Sequence, residues 1–354
     1  MKSSRLFFFC FLFSMSPALL AAPGLYSAEV PVADASPEAR KTSIREAFEK
    51  VLVKASGHRN LRGRSGMQAL LEHAEDHVQQ FRYRSEAAET EGAADKRWIW
   101  VAFEKGAVQK ALRNLGLSVW EKGRPEVLLW LVRETNGHRA FLDPEKDTDL
   151  VQAAKEAARQ RGLPLLLPIM DLEDQSALRI GDVWAVDRES IEKASVRYGE
   201  PLVLLGRLRQ AGNEWTAKWT LLLPGKEQDF SSAAASAEET LGAGIDKAMD
   251  WLADQYVPGS DLGGAEPLLL RFLGIDGLRE YARLIRLLDL LDVISEYAIL
   301  ESSGDQLLIQ AKVRGGRDIL VQRLSLETVL TPVVSIPDDE AVGPGRLELT
   351  YRLR

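Results

Sequence analysis

The strongest constraint on this chain comes from its N-terminal segment, which contains the only cysteine, Cys10. Lys2 and Arg5 precede an apolar run from Leu6 to Leu20, and small residues follow up to Gly24. A charged start, a short apolar stretch and a small-residue boundary are typical of a secretory signal peptide, and the run is shorter than the ~20 residues that span a bilayer. Because Cys10 lies inside this run, the mature chain must fold without disulfides, thiolate chemistry or cysteine metal sites.

We therefore expect residues 1–24 to be a signal peptide that is cleaved between residues 21 and 24. The residues before Cys10 are three phenylalanines, which do not resemble the lipobox of bacterial lipoproteins. The sequence predicts a protein that is exported to the periplasm of a Gram-negative bacterium, with no membrane span after the signal peptide is removed.

Size and charge narrow the class of protein further. About 330 residues remain after cleavage, and this length predicts two or three domains. Loss of Lys2 and Arg5 takes the formal net charge from −7 to −9. An acidic chain with no long basic run is not expected to bind nucleic acid.

The first predicted module is an α+β unit at residues 25–123. Ser36 and Pro37 have the residue types of a helix N-cap and first helical position, and Gly57 predicts the end of that helix. A second helix is predicted at residues 66–78 and strands near residues 80–85 and 96–103. A third helix at 106–115 and a strand at Leu117–Trp120 complete the pattern.

The second predicted module, at residues 124–257, combines parallel strands with an antiparallel hairpin. An apolar strand at 127–132, a helix at 148–160 and a buried strand at Leu165–Met170 come first. A helix at 190–197 precedes a hairpin formed by residues 201–208 and 215–223. The helix at 237–256 closes the module.

The third predicted module follows a linker at residues 258–266, which is rich in Gly, Ser and Asp. Residues 267–336 have the order of a ferredoxin-like βαββαβ unit. A tail at 337–354 ends in a strictly alternating segment, which predicts a terminal edge strand. The sequence thus predicts an α+β protein of several small α/β sandwich-like modules, the last of them ferredoxin-like.

Blocks of residues in the first two modules resemble the domain-of-unknown-function 2066 family of exported proteobacterial proteins. The resemblance extends to about residue 250 and includes residues 51–60, 78–83, 116–120, 163–168, 171–174, 182–184 and 203–207. It implies an exported envelope protein without an established activity, and no catalytic residue can be carried over from that family.

Three carboxylates form the first candidate binding site. Asp171, Glu173 and Asp174 directly follow the predicted strand at 165–170, and polar groups at strand ends often bind ligands in α/β proteins. Three such oxygen donors could hold Mg²⁺ or Ca²⁺. The alternative is a loop whose acids cap the next segment and stay in water, and this alternative is favoured because it is common.

Two histidines and several tryptophans give weaker candidates. His73 and His77 are four residues apart, so on one helix they would share a face and could bind a metal, although an exposed polar helix explains them better. Trp215 and Trp219 share a face of the predicted hairpin, and Trp98 and Trp100 share a strand face. Such faces could stack on a glycan or peptide, but the large area that tryptophan buries favours a core role.

No motif in the chain indicates a particular reaction. We expect a binding, scaffold or accessory protein of the cell envelope, with an envelope protein complex as its partner, no cofactor and no catalytic residue. One alternative is a divalent-metal hydrolase centred on Asp171, Glu173 and Asp174. Another is a small-ligand carrier with a tryptophan-lined cleft between the first two modules.

Overall fold

The computed structural model describes residues 24–86, 95–199, 201–257, 265–327, 329–333 and 348–354. The predicted signal peptide, most of the predicted linker and most of the predicted tail lie outside these residues. The described part of the chain is an α+β protein with several mixed layers of helix and strand, as the sequence predicts. Its strands form three separate sheets.

The first module packs helices on one face of a three-stranded antiparallel sheet with strand order β1-β3-β2. Its elements are β1 (Ser27–Pro31), α1 (Pro37–Ser56), α2 (Met67–Glu72), a 3₁₀ helix (Ala74–His77), β2 (Val78–Glu86), β3 (Lys96–Phe103) and α3 (Lys105–Asn114).

The ends of α1 follow from its sequence. The Ser36 hydroxyl accepts a hydrogen bond from the backbone N–H of Ala39, and Pro37 occupies the first turn, where its missing N–H costs nothing. Gly57 ends the helix in the left-handed region at φ 78°. A Cβ at Gly57 would lie 2.9 Å from both Ala253 and Trp120. The glycine is therefore needed for close packing on the second module as well as for the turn.

The second module is a three-layer unit around a sheet of strand order β5-β4-β7-β8-β9, with β6 pairing only to β4. Its elements are β4 (Val127–Thr135), β5 (His138–Phe141), α4 (Thr148–Arg161), β6 (Leu165–Leu166), α5 (Leu172–Ala177), α6 (Ile180–Ala185), α7 (Arg188–Ser195), a 3₁₀ helix (Val196–Tyr198), β7 (Leu202–Ala211), β8 (Glu214–Leu223), β9 (Lys226–Ala234) and α8 (Ala237–Tyr256).

Strand β4 explains the layering. Val127, Leu129 and Leu131 belong to the core beneath α4 and α8, whereas Leu128 and Trp130 belong to the core on the opposite face. Both faces of the strand are therefore buried, as is usual where strands pair in parallel. The predicted parallel pairing and the hairpin are present as β4–β7 and β7–β8.

The third module has the predicted βαββαβ order with one topological difference. Its elements are β10 (Ala265–Leu273), α9 (Leu278–Leu290), β11 (Ile294–Ser303), β12 (Gln306–Arg314), α10 (Gly316–Leu324), β13 (Leu330–Val333) and β14 (Glu348–Leu353). The strand order is β11-β12-β10-β14-β13. The prediction of a terminal edge strand is therefore wrong, because β14 lies between β10 and β13 and pairs with both.

Three local predictions are also wrong, each for a physical reason. The predicted buried strand at 165–170 is reduced to the two half-buried residues of β6, because Pro168 has no N–H to donate and Ile169 is exposed. The predicted helix at 66–78 is broken at His73, where α2 gives way to a 3₁₀ turn. Leu117–Trp120 does not pair as a strand, and the backbone N–H of Trp120 donates to the carbonyl of Ala55 instead.

The first two modules are joined by a half-buried arginine, Arg124. Arg124 donates hydrogen bonds to the backbone carbonyls of Lys54, Trp120, Arg161 and Gly162. Lys54 belongs to the first module, and Arg161 and Gly162 belong to the second. Because one side chain satisfies carbonyls of both modules away from water, it fixes their relative position.

Candidate functional site

The outer face of the first sheet carries tryptophans and arginines in register. Ile99, Val101 and Phe103 of β3 are buried in the core with α1, so Trp98 and Trp100 point to the opposite face. Both tryptophans are half-buried. They therefore present part of their ring area to solvent.

Arginines of β2 lie against these rings. Arg82 is paired in register with Trp100, and its guanidinium lies 4.4 Å from the centroid of that ring. Arg84 is paired with Trp98 in the same way at 5.7 Å, and it also donates to the Glu29 carboxylate at 3.0 Å. The Glu29 hydrogen bond raises the pKa of Arg84 above its ordinary value. Planar cations on aromatic faces hold both groups in fixed positions at little entropic cost.

The opposite side of β2 carries exposed aromatic rings. Phe81 is 41% exposed and Tyr83 is 43% exposed, and their rings meet edge to face at 5.8 Å. The guanidinium of Arg40 lies 5.7 Å from the Phe81 ring. We name Phe81, Arg82, Tyr83, Arg84, Trp98 and Trp100 together the β2 surface.

Strand β2 is also an open sheet edge. It pairs with β3 on one side, and no strand in the described ranges pairs with its other side. The pairing is regular from Gln80 to Glu86 after one irregularity at Val78. Edge strand β11 of the third module, by contrast, has register shifts at two places along its length. Bulges of that kind hinder the addition of another strand, so β2 is the more receptive edge.

The charge around β2 is positive in an acidic protein. Glu29 and Glu86 both pair with Arg84. Arg82 has no carboxylate partner among the described residues. The exposed or half-buried cations near this edge are Arg40, Arg82, Arg84, Lys96 and Arg97, and the nearby carboxylates are Glu29, Asp34, Glu86 and Asp95, so the local excess of positive charge is small. An acidic partner would therefore meet a weakly favourable local field despite the net charge of −7 of the whole chain.

Sequence analysis identified only two of the six residues of this surface. It recognised Trp98 and Trp100 as sharing a strand face and favoured a core role for them, but it did not single out Arg82, Arg84, Phe81 or Tyr83. The available signal was the alternation of aromatic and cationic residues from Phe81 to Arg84. Such alternation predicts a half-buried strand with Arg82 and Arg84 on the outer face, but it does not predict that Phe81 and Tyr83 on the other face are exposed.

The candidate carboxylates lie together but are already paired with a cation. Arg197 contacts Asp171 at 2.9 Å, Asp174 at 2.9 Å and Glu173 at 3.5 Å. Asp171 caps α5 by accepting the N–H of Asp174. Asp174 is buried and also accepts from Tyr198 at 2.6 Å and from the backbone of Met170 at 2.8 Å.

These hydrogen bonds occupy the carboxylate oxygens and leave little room for a metal. The Arg197 hydrogen bond, helped by the cap N–H of Asp174, lowers the pKa of Asp171 to about 2. Burial and the Asp174 hydrogen bond raise the pKa of Tyr198 to about 12. The cluster therefore joins the segment after β6 to the end of α7 through an arginine, as a structural ion-pair network does.

The two histidines do not face a common point. His73 lies at the break between α2 and the 3₁₀ turn, where its ring is exposed and its Nδ1 lies 3.1 Å from Asp76. His77 packs its ring against Phe48, with centroids 5.3 Å apart. In the described residues, no group of three or more His, Cys, Asp or Glu side chains is arranged to hold a metal ion.

The hairpin tryptophans belong to the core of the second module. Trp219 is fully buried, stacks on Phe230 at 6.3 Å and donates its indole N–H to Ser232 at 2.8 Å. Trp215 is half-buried and packs against the same core. The groove of about 740 Å³ between the first two modules has no tryptophan in its lining, which includes Glu46, Arg59 and Gln68.

Comparison with known proteins gives one family match, limited to the first module. Residues 20–121 match the family described as "Domain of unknown function (DUF8605)". The resemblance to the domain-of-unknown-function 2066 family is therefore wrong, since the matching model belongs to a different family of unknown function. The β2 surface lies inside the matched residues. No curated protein matches the chain.

Among solved structures, one similar chain is the "Thermus thermophilus Protein Y N-terminal domain", at 10% identity. The alignment covers 36% of this chain and 93% of that chain, with a TM-score of 0.18. A score of that size does not define a shared fold. Within the described residues, no helix has the length and apolar character to cross a membrane.

Proposed function

We propose that this chain is an exported protein of the Gram-negative cell envelope that acts by binding rather than by catalysis. Its partner contributes an extended, acidic segment that adds to the open edge of β2 as a further strand. One observation carries this proposal: β2 offers an uninterrupted, exposed edge from Gln80 to Glu86, flanked by aromatic rings and by Arg82, which has no carboxylate partner in the described residues.

In strand addition, the backbone and the side chains make different contributions to recognition. Hydrogen bonds along the β2 edge give affinity for any extended segment, whereas side-chain contacts select its sequence. On one face, Arg82 and its neighbours attract carboxylates. On the other, Phe81 and Tyr83 offer exposed rings to apolar side chains. Arg, Tyr and Trp are the residue types that dominate binding energy at protein interfaces.

Three synthetic peptides test the proposal on the mature protein. The first is a blocked octapeptide in which glutamate alternates with valine, the second replaces each glutamate by lysine, and the third replaces two valines of the first by proline. We expect saturable calorimetric binding of the first peptide and loss of binding for the other two. Equal binding of the proline peptide would contradict strand addition, because proline removes backbone donors but keeps the charge.

Matched variants locate the binding to the β2 surface. Arg82→Glu should weaken binding of the acidic peptide by at least about tenfold, since a desolvated like charge costs more than 1.4 kcal/mol. Arg113→Glu makes the same charge change at an exposed position on α3 of the same module and should leave binding within about twofold. Equal losses for both variants would indicate a general charge effect and would contradict a site at β2.

Export has its own test. The charged start, short apolar run and small-residue boundary predict that protein purified from cells lacks its first 21 to 24 residues. Intact-mass measurement decides this, together with release by osmotic shock. A full-length species that stays with the membranes would contradict the proposed location.

A further inference from the structure

A pocket lies at the junction of the second and third modules, far along the chain from the β2 surface. Its volume is about 400 Å³, within the ~300–1,000 Å³ range of small-molecule sites. One wall comes from the start of the second module and from Tyr256, and the other from α9 and α10. Its apolar lining includes Leu202, Leu287, Leu290, Leu291, Leu326 and Val329.

The pocket contains a buried arginine with unused donors. The Arg323 side chain is only 4% exposed, and its Nη2 donates to Asp292 at 3.2 Å. Its Nε and Nη1 have no hydrogen-bond partner in the described residues. The guanidinium also lies 4.9 Å from the ring centroid of Tyr256. A buried donor left without an acceptor costs roughly 1–3 kcal/mol, so these N–H groups favour any acceptor that enters the pocket.

The other charged groups of the pocket do not accept hydrogen bonds from the unpartnered N–H groups of Arg323. Arg124 already donates to four backbone carbonyls. Glu327 is a neighbour of Arg323 but makes no hydrogen bond to it, and burial raises the pKa of the Glu327 carboxyl. Arg286 is exposed on α9 and has no ion-pair partner among the described residues. Arg283 and Glu126 complete the charged lining.

We propose that this pocket binds a small organic carboxylate with an apolar body. The carboxylate accepts hydrogen bonds from the unpartnered N–H groups of Arg323, with Arg286 near the entrance as a second cation. The apolar body packs on the leucines of α9 and on Val329. The mostly apolar walls favour such a ligand over an inorganic anion, which would lose its hydration without apolar compensation. This inference does not depend on the proposed function of β2.

Calorimetry on the full mature chain tests the ligand class with four probes: octanoate, 3-phenylpropanoate, octan-1-ol and inorganic phosphate. We expect saturable binding of at least one carboxylate, at least about tenfold tighter than octanol and phosphate. Equal binding of octanol would show an apolar site in which Arg323 has no part and would overturn the proposal. The proposal would also be overturned if phosphate bound as tightly as either carboxylate, or if neither carboxylate showed saturable binding.

Two variants locate the site without disturbing the buried Arg323–Asp292 pair. Leu290→Trp enlarges a 43% exposed residue of the pocket rim and should weaken carboxylate binding at least about tenfold by filling the entrance. Leu278→Trp makes the same change at an 82% exposed position of the same helix, outside the lining, and should keep binding intact. Unchanged binding in Leu290→Trp, or equal loss in both variants, would overturn this location.

Discussion

Arg161 of the second module donates a hydrogen bond from its Nη1 to Asp246 at 2.7 Å, from a position where its own side chain is only 4% exposed. Its Nη2 reaches Asp250 and also the carbonyl of Gly57 at 2.7 Å. Gly57 ends α1 of the first module. One guanidinium therefore links α4, α8 and the first module in a nearly dry setting, where charge-assisted hydrogen bonds are strong.

The first prediction concerns this linkage. Arg161→Met should lower the free energy of unfolding by about 3 kcal/mol, because it leaves the Gly57 carbonyl without its donor and leaves Asp246 and Asp250 with only Arg59 as a cationic partner. Arg159→Met removes an arginine of the same helix that pairs with Glu156 near the surface, and it should cost no more than about 1 kcal/mol. Urea unfolding of both variants measures the difference. An equal loss of unfolding free energy in the two variants would show that Arg161 contributes no more to stability than a surface arginine.

The second prediction uses two glycines of α8. A Cβ at Gly244 would lie 2.1 Å from the buried Trp219 ring, whereas the nearest atom to a Cβ at Gly242 is 3.8 Å away. Gly244→Ala should therefore destabilise by about 1–3 kcal/mol through overpacking. Gly242→Ala should stabilise by up to about 1 kcal/mol, because alanine is the better helix former. Thermal unfolding gives both values, and destabilisation by Gly242→Ala would contradict this packing.

The third prediction concerns pH and the buried Lys54. Burial, with the nearby charges of Arg159 and Arg124, lowers the pKa of the Lys54 amine to about 8. Between that value and the ordinary value of 10.5, the unfolded chain holds a proton that the folded chain has lost, so stability rises with pH. From pH 8 to 9.5, wild type should gain about 1–2 kcal/mol relative to Lys54→Met.

Lys50→Met is the control for this measurement. Lys50 lies on the same helix, is partly exposed and pairs with Glu46, and its charge makes only a small contribution to lowering the pKa of Lys54, so its removal should preserve most of the wild-type rise. Urea unfolding at the two pH values is sufficient. A parallel pH dependence in wild type and Lys54→Met would contradict a neutral buried amine.

The fourth prediction concerns the acidic cluster. Because Arg197 lowers the pKa of Asp171 to about 2, the ion pair stabilises the fold above the ordinary pKa near 4 and is lost as the pH falls from about 4 to 2. Arg197→Gln should thus be less stable than wild type at pH 7, with the difference shrinking below pH 4. EDTA should leave the melting temperature of wild type unchanged. A drop on EDTA treatment that Mg²⁺ or Ca²⁺ restores would favour a metal site instead.

Much of the fold could be predicted because its signals are local. Ser36, Pro37 and Gly57 set the ends of α1 by capping and turn chemistry that each residue carries alone. The βαββαβ order of the third module follows from alternating periods of two and 3.6 residues. The position of β14 between β10 and β13 could not be predicted, because strand order depends on contacts across more than 75 residues of chain.

The candidate site, too, could be predicted only where its signals lie within one strand. Trp98 and Trp100 are recognisable as neighbours on one strand face, but the guanidinium groups that lie on them come from β2 and depend on the register between strands. The pairing of Asp171 and Asp174 with Arg197 likewise joins groups that are more than 20 residues apart. β5 and β9 were not predicted, because one is short and the other is mostly polar at a sheet edge.

Hydrogen–deuterium exchange of the protein, with and without the alternating glutamate–valine octapeptide, tests the central claim most directly. The account predicts that the peptide slows exchange of backbone amides within residues 80–86 by at least about tenfold, because strand addition gives outward N–H groups an acceptor. It predicts no change in β9 or β11, two other long edge strands of the described residues. Peptide binding without protection of residues 80–86, or with protection confined to β11, would contradict it.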